Sequence, residues 1–133
     1  MIPHSTYPQA STSLTLQTRL ADLFSFEGRL GRQQYWMRSL LLSAINFACM
    51  VPVTIAQNAS TGMALILSIF VLAVYLVTFS GGLATTTKRL HDRGRSGWFL
   101  LIALVPLVGL WVLVEVGFLR GDESPNQYGD PVA

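Results

Sequence analysis

No Asp, Glu, Lys or Arg interrupts the chain from Ser39 to Thr87, nor again from Ser96 to Val114, and charge is crowded into the gaps between these runs. About 20 apolar helical residues at 1.5 Å each cross about 30 Å of hydrocarbon, so the two runs hold helices of membrane length. Spans are expected over about 37–56, 62–84 and 97–119, with helix able to run on from the second through Thr85 to Thr87 into the basic segment and Ser96 placed to cap the third. Residues 57–61 (QNAST) are a short uncharged connection, so the first two spans form an antiparallel hairpin. Pro52 is expected to bend or fray the outer end of the first span. Pro106 is expected to kink the third rather than end it, because apolar residues on both sides are needed to cross.

Outside the runs the pattern changes. Leu16, Leu20, Leu23 and Phe24 recur at helical spacing and predict a short amphipathic helix, packed on the body of the protein or lying in the membrane interface. Residues 1–15, rich in Pro, Ser, Thr and Gln, read as a flexible tail and not as a signal peptide. Gly28 and Gly31 punctuate a turn before a helix that restarts near Arg32, and residues 120–133 form a polar, irregular tail. The expected fold is all-α: a polytopic membrane protein with three transmembrane helices, in a membrane domain over 16–119, preceded by the short amphipathic N-terminal helix.

Composition excludes several classes. The 133 residues are 51% hydrophobic and 12% charged, about half the charge of an ordinary soluble domain. Net charge is only +2, so no nucleic acid is expected as a partner. Cys49 is the single cysteine and excludes an internal disulfide. Arg29, Arg32 and Arg38 precede the first span, Lys88, Arg89, Arg93 and Arg95 separate the second from the third, and the first connection has no basic residue. The positive-inside rule therefore puts the N-terminus and the basic loop in the cytoplasm, and three crossings would carry the C-terminus outside with Asp122, Glu123 and Asp130. Tyr35, Trp36 and Trp98 fall at the level of an inner aromatic belt.

The densest polar segment is KRLHDRGRSGW, Lys88 to Trp98. In a helix, Asp92 lies four residues from Lys88 and three from Arg89, within pairing reach of either. The plain reading is a solvated loop that orients the bundle. The functional reading is a surface made by Arg29, Arg32, Arg89, Arg93 and Arg95, with His91 and Asp92, for lipid phosphate or an acidic partner. His91 and Asp92 are neighbours pointing about 100° apart, so they cannot form an imidazole–carboxylate dyad. His4 and His91 are the only histidines, no closely spaced ligand pair exists, and no metal, cofactor or catalytic residue is expected. Glu115, close to the outer end of the third span, is expected to reach water. Asn46, one turn after Ser43, suits a hydrogen bond between helices. The Asn58-Ala59-Ser60 triplet matches a glycosylation acceptor by chance.

Three separated motifs resemble the small bacterial inner-membrane proteins of the domain-of-unknown-function family 805, the YhaH-like proteins. The first is FSFEGRLGRQQYW, through Phe26, Gly28, Arg29, Arg32, Tyr35 and Trp36; the second is RLHDRGRSGW, through Arg89, Leu90, His91, Asp92, Gly94, Ser96, Gly97 and Trp98. The third is NQYGDP, through Asn126, Tyr128, Gly129 and Pro131. Lys88 stands where the family often has an arginine, and Gly81 and Gly82 where members often have a proline. The resemblance implies a small helical bundle in the bacterial inner (plasma) membrane and brings no established activity. The expected function is a non-enzymatic membrane module whose partners are membrane lipids and, beyond them, copies of itself or another membrane protein. The alternatives are an oligomeric transporter or pore lined by groups such as Asn46, Ser80 or Glu115, and a lipid-phosphate enzyme using His91.

Overall fold

A computed structural model describes residues 16–56 and 60–132. The 1–15 tail and residues 57–59 of the first connection, with Asn58 and Ala59 of the acceptor triplet, lie outside the described residues. All regular structure within them is helical. Helix α1 (Leu16–Phe24) is followed by α2 (Arg32–Ile55), α3 (Thr61–Asp92), a 3-10 helix (Gly97–Leu104) and α4 (Pro106–Gly117).

Two helices, α2 and α3, are long and apolar enough to cross a membrane. They pack antiparallel: Leu30 N–H donates to Lys88 O, Leu42 lies against Gly81, and the Thr78 hydroxyl donates to Asn46 Oδ1 at 3.0 Å. Asn46 thus makes the interhelical bond its position suggested, and its amide also donates to Leu42 O. Pro52 leaves α2 intact to Ile55, with one turn beyond it. Gly81 and Gly82 leave α3 unbroken through the basic segment. At 32 residues α3 spans about 48 Å, well over the hydrocarbon thickness, so one end must project beyond it.

Burial follows that projection. Helix α2 has no buried residue, and every buried residue of α3 falls between Thr78 and Asp92. The middles of both helices turn Leu, Ile and Phe outward, as a lipid-facing surface does.

The third apolar run departs from a single kinked span. Val105 is extended (φ −80°, ψ 118°) and Pro106 begins α4. A residue before proline is steered away from helix, and proline is at ease in a first helical turn, so Pro106 starts a helix instead of bending one. The two arms, about 16 Å and 18 Å long by their rises, fold back on each other. A Cβ on Gly109 would strike the Ala103 carbonyl, so the arms close this tightly only on glycine. Gly97 abuts Thr87 and Gly117 abuts Trp36, so both ends of the run sit at the same end of the α2–α3 pair. Residues 97–117 form a hairpin of two short arms in place of the one kinked helix expected over 97–119.

Candidate functional site

The shared end of the helices is built around carboxylates that each hold two cations. Asp92 closes α3, where the helix dipole disfavours a negative charge. It is compensated by Arg29, whose Nε donates to Oδ1 at 3.0 Å, and by Arg89, whose Nη1 donates to Oδ2. Arg29 spends its other donors on the Ser124 (3.0 Å), Gly129 (3.2 Å), Asp92 (3.4 Å) and Asp122 carbonyls. Arg89 reaches Val116 O at 2.9 Å, Leu30 O at 3.4 Å and Leu119 O. Their side chains are 1% and 0% exposed. Arginine's planar fork satisfies several carbonyls at once, which makes two buried guanidinium groups tolerable.

The backbone closes around the same carboxylate. Asp122 N–H donates to Asp92 O at 2.7 Å, and a Cβ on Gly121 would overlap the Asp92 side chain. Asn126 donates to His91 O at 3.0 Å and also accepts from Tyr128 N–H at 2.9 Å, shaping a tight turn that Gly129 (φ 126°) completes. The tail expected to be irregular is therefore tied down at Asp122, Asn126 and Gly129.

Two further carboxylates repeat the arrangement. Asp22 on α1 accepts from Lys88 Nζ at 2.6 Å and from Arg38. Burial raises the Asp22 carboxyl, but the hydrogen bonds and charges of Lys88 and Arg38 outweigh it and hold the group below its ordinary value. Glu115, near the end of α4, accepts from Arg95 Nε at 3.1 Å and lies 3.7 Å from Arg93. It is 1% exposed. The expectation that it reaches water at an outer interface is corrected, because the hairpin returns it to the basic loop.

The sequence candidates thus divide. Arg29, Arg89, Asp92 and Leu90 are interior, so Arg29 and Arg89 drop out of the expected exposed surface. Arg32 stays exposed with Nη1 on Phe118 O at 3.3 Å, Arg95 is exposed and lies 4.8 Å over the Phe99 ring, and Arg93 is half-buried. Of the two partners open to Asp92, Arg89 takes it, while Lys88 turns to Asp22. Trp36 Nε1 donates to Gly117 O at 2.9 Å, its ring meeting Tyr35 and Phe118 edge-on. Gly28 (φ 88°) and Gly94 (φ 66°) make the turns, and Ser96 Oγ accepts from Trp98 N–H to cap the 3-10 helix as its position suggested. Pro131 borders a groove of about 830 Å³ with Arg32, Trp36 and Phe118. His91 stacks on Tyr128 with ring centroids 3.7 Å apart, its Nδ1 3.2 Å from Gly28 O.

Sequence reasoning missed Glu115, Gly121 and Asp122 as parts of this end, and the link from Arg29 to Asp92. Among the described residues no three His, Cys, Asp or Glu side chains gather as metal ligands would.

All three sequence motifs therefore meet at one end of the helices. A family model described as "Protein of unknown function (DUF805)" matches residues 23–130, the stretch that forms this end and its helices. The chain belongs to the DUF805 family. Among its relatives is "Inner membrane protein YhaI" of Escherichia coli, 32% identical over 111 residues that cover 84% of this chain and 88% of that protein. "Inner membrane protein YhaH" is 27% identical over 114 residues, covering 84% and 91%. "Uncharacterized protein YiiR" is 31% identical over 132 residues, covering 80% and 85%. No solved structure matches the chain. For this DUF805 chain, helices with apolar exteriors agree with relatives named for the inner membrane.

Proposed function

We propose that the protein is a non-enzymatic module of the bacterial inner membrane. Helices α2 and α3 cross it, residues 97–117 enter and return as a hairpin, and both termini are cytoplasmic. The reading rests on one observation above all: Asp92, Asp22 and Glu115 are each shared by two cations, so each cluster keeps a surplus of positive charge at the end that carries Trp36 and Trp98. That end gathers anionic phospholipid. The contacts come from Arg32, Arg93 and Arg95, while Arg29 and Arg89 hold the fold. Several basic groups beside an anionic leaflet contribute about 1 kcal/mol each, less as salt rises.

The test has two arms. Paired reporters fused after Ala133, one active in the cytoplasm and one outside it, give a cytoplasmic signal; an outside signal removes the hairpin reading. With the protein reconstituted in bilayers, spin-labelled phosphatidylglycerol is motionally restrained more than spin-labelled phosphatidylcholine at low salt. Changing Arg32, Arg93 and Arg95 together to Gln abolishes the difference. Equal restraint of the two lipids around the unaltered protein refutes the anionic-lipid role.

A further inference from the structure

A second groove, of about 630 Å³, runs between α3 and the 3-10 helix. Its walls at one end are Phe79, Leu83, Leu101 and Leu104, and at the other it meets Thr87, His91, Ser96 and Tyr128. Phe26, His91, Trp98 and Tyr128 come from three distant segments, so the groove exists only once the charged end has assembled.

Its polar end has a defined chemistry. A carbonyl only accepts, so the contact from His91 Nδ1 to Gly28 O puts the ring proton on Nδ1. In the neutral imidazole Nε2 is then an acceptor, and among the described residues it meets no donor. The flat stack on Tyr128 fixes the ring plane. An occupant therefore needs an apolar chain for Leu83, Leu101 and Leu104 and a hydrogen-bond donor for His91. The apolar half lies along the lipid-exposed faces of α3 and the 3-10 helix, so the chain comes from the bilayer. Arg95 precedes the groove-lining Ser96 in the chain and is 43% exposed beyond its bond to Glu115, so its charge favours a negative head nearby.

We propose that this groove holds one acyl chain of a hydroxyl-bearing anionic glycerophospholipid, with a head hydroxyl donating to His91 Nε2. This rests on the membrane placement above and goes further, to a single bound lipid selected by its hydroxyl and not by charge alone.

The test uses the full chain in bilayers with two probes, diacyl phosphatidylglycerol bearing a diazirine in one acyl chain and the same molecule with both head hydroxyls methylated, which leaves it no hydroxyl. Charge and chain are identical. The hydroxyl probe is expected to label the walls around Trp98, Leu101 and Tyr128 about fivefold more than its methylated twin, the size of one net hydrogen bond. His91→Phe, which keeps an aromatic ring against Tyr128, makes the probes equal. Leu101→Trp, at an exposed position where folding is little at risk, fills the groove and removes the labelling of both. Equal labelling of the unaltered protein by the two probes overturns the proposal, as does labelling of the outward face of α2 as strong as that of the groove. Failure of the general anionic-lipid reading appears separately, as loss of the phosphatidylglycerol preference in spin-label restraint.

Discussion

The two ends of this molecule are stabilised in opposite ways. Along the middles of α2 and α3, side chains such as Ile66, Ile69 and Phe70 face outward, and polar groups mostly bond within their own helix, as Ser68 does to Ala64 O and Ser80 to Val77 O. At the end where α3 stops, charged groups fill the interior: Arg89, Asp92 and Glu115 are more completely enclosed than almost any apolar side chain. Lipid supplies an environment for the first region without further design, whereas the second must satisfy each buried charge from within. A substitution's cost should therefore follow location before chemistry.

The sharpest way to break the comparison is Asp92→Asn. It keeps size and shape but leaves Arg29 and Arg89 without their shared counter-charge, and unpaired buried charges cost about 3–5 kcal/mol. Thermal unfolding in mild detergent should shift down strongly, and an unchanged midpoint would mean that carbonyls alone hold the two arginines. Gly121→Ala comes next. Its methyl meets the Asp92 carboxylate, and forcing extra volume into such a packed site costs about 1–3 kcal/mol in the same melt. Asp22 sharpens the comparison at the margin. Because its folded carboxyl sits below the ordinary 3.8, its contribution is complete above that pH and is lost as pH falls through the lower folded value. Asp22 is half-exposed, so the effect is under about 1 kcal/mol; proteolysis of α1 in acid should become pH-independent in Asp22→Asn. The smallest change is expected along the middle of α3. Ile66→Ala should move the melt by no more than about 0.5 kcal/mol, the range of exposed sites away from special features.

Local features were legible in the sequence where periodicity or a single residue determines them. The start of α2 at Arg32, the continuity of α3 past Gly81 and the cap at Ser96 follow from spacing and side-chain chemistry within a few residues. Pro106 was visible as well, but its consequence depends on where the rest of the chain goes. A kink keeps a span and a restart makes a hairpin, and distant contacts such as Gly117 against Trp36 and Glu115 with Arg95 separate them. Val105, biased toward extended backbone by the proline after it, was the local hint. The Arg29–Asp92 link joins residues 63 positions apart, and no periodic signal encodes such a contact. The presence of RLHDRGR was readable, and which of its arginines would be interior was not.

The tie between Asp122 and Asp92 bears on the order of synthesis. Arg29 emerges before both long helices and Arg89 near the end of the second, yet five of their carbonyl acceptors belong to Val116, Leu119, Asp122, Ser124 and Gly129. Until the ribosome has delivered these residues, two guanidinium groups and one carboxylate lack their enclosure, and the charged end of α2 and α3 stays open. A chain stopped just after α4 would leave Arg29 without the Asp122, Ser124 and Gly129 carbonyls, so a protease should cut it faster than the full chain.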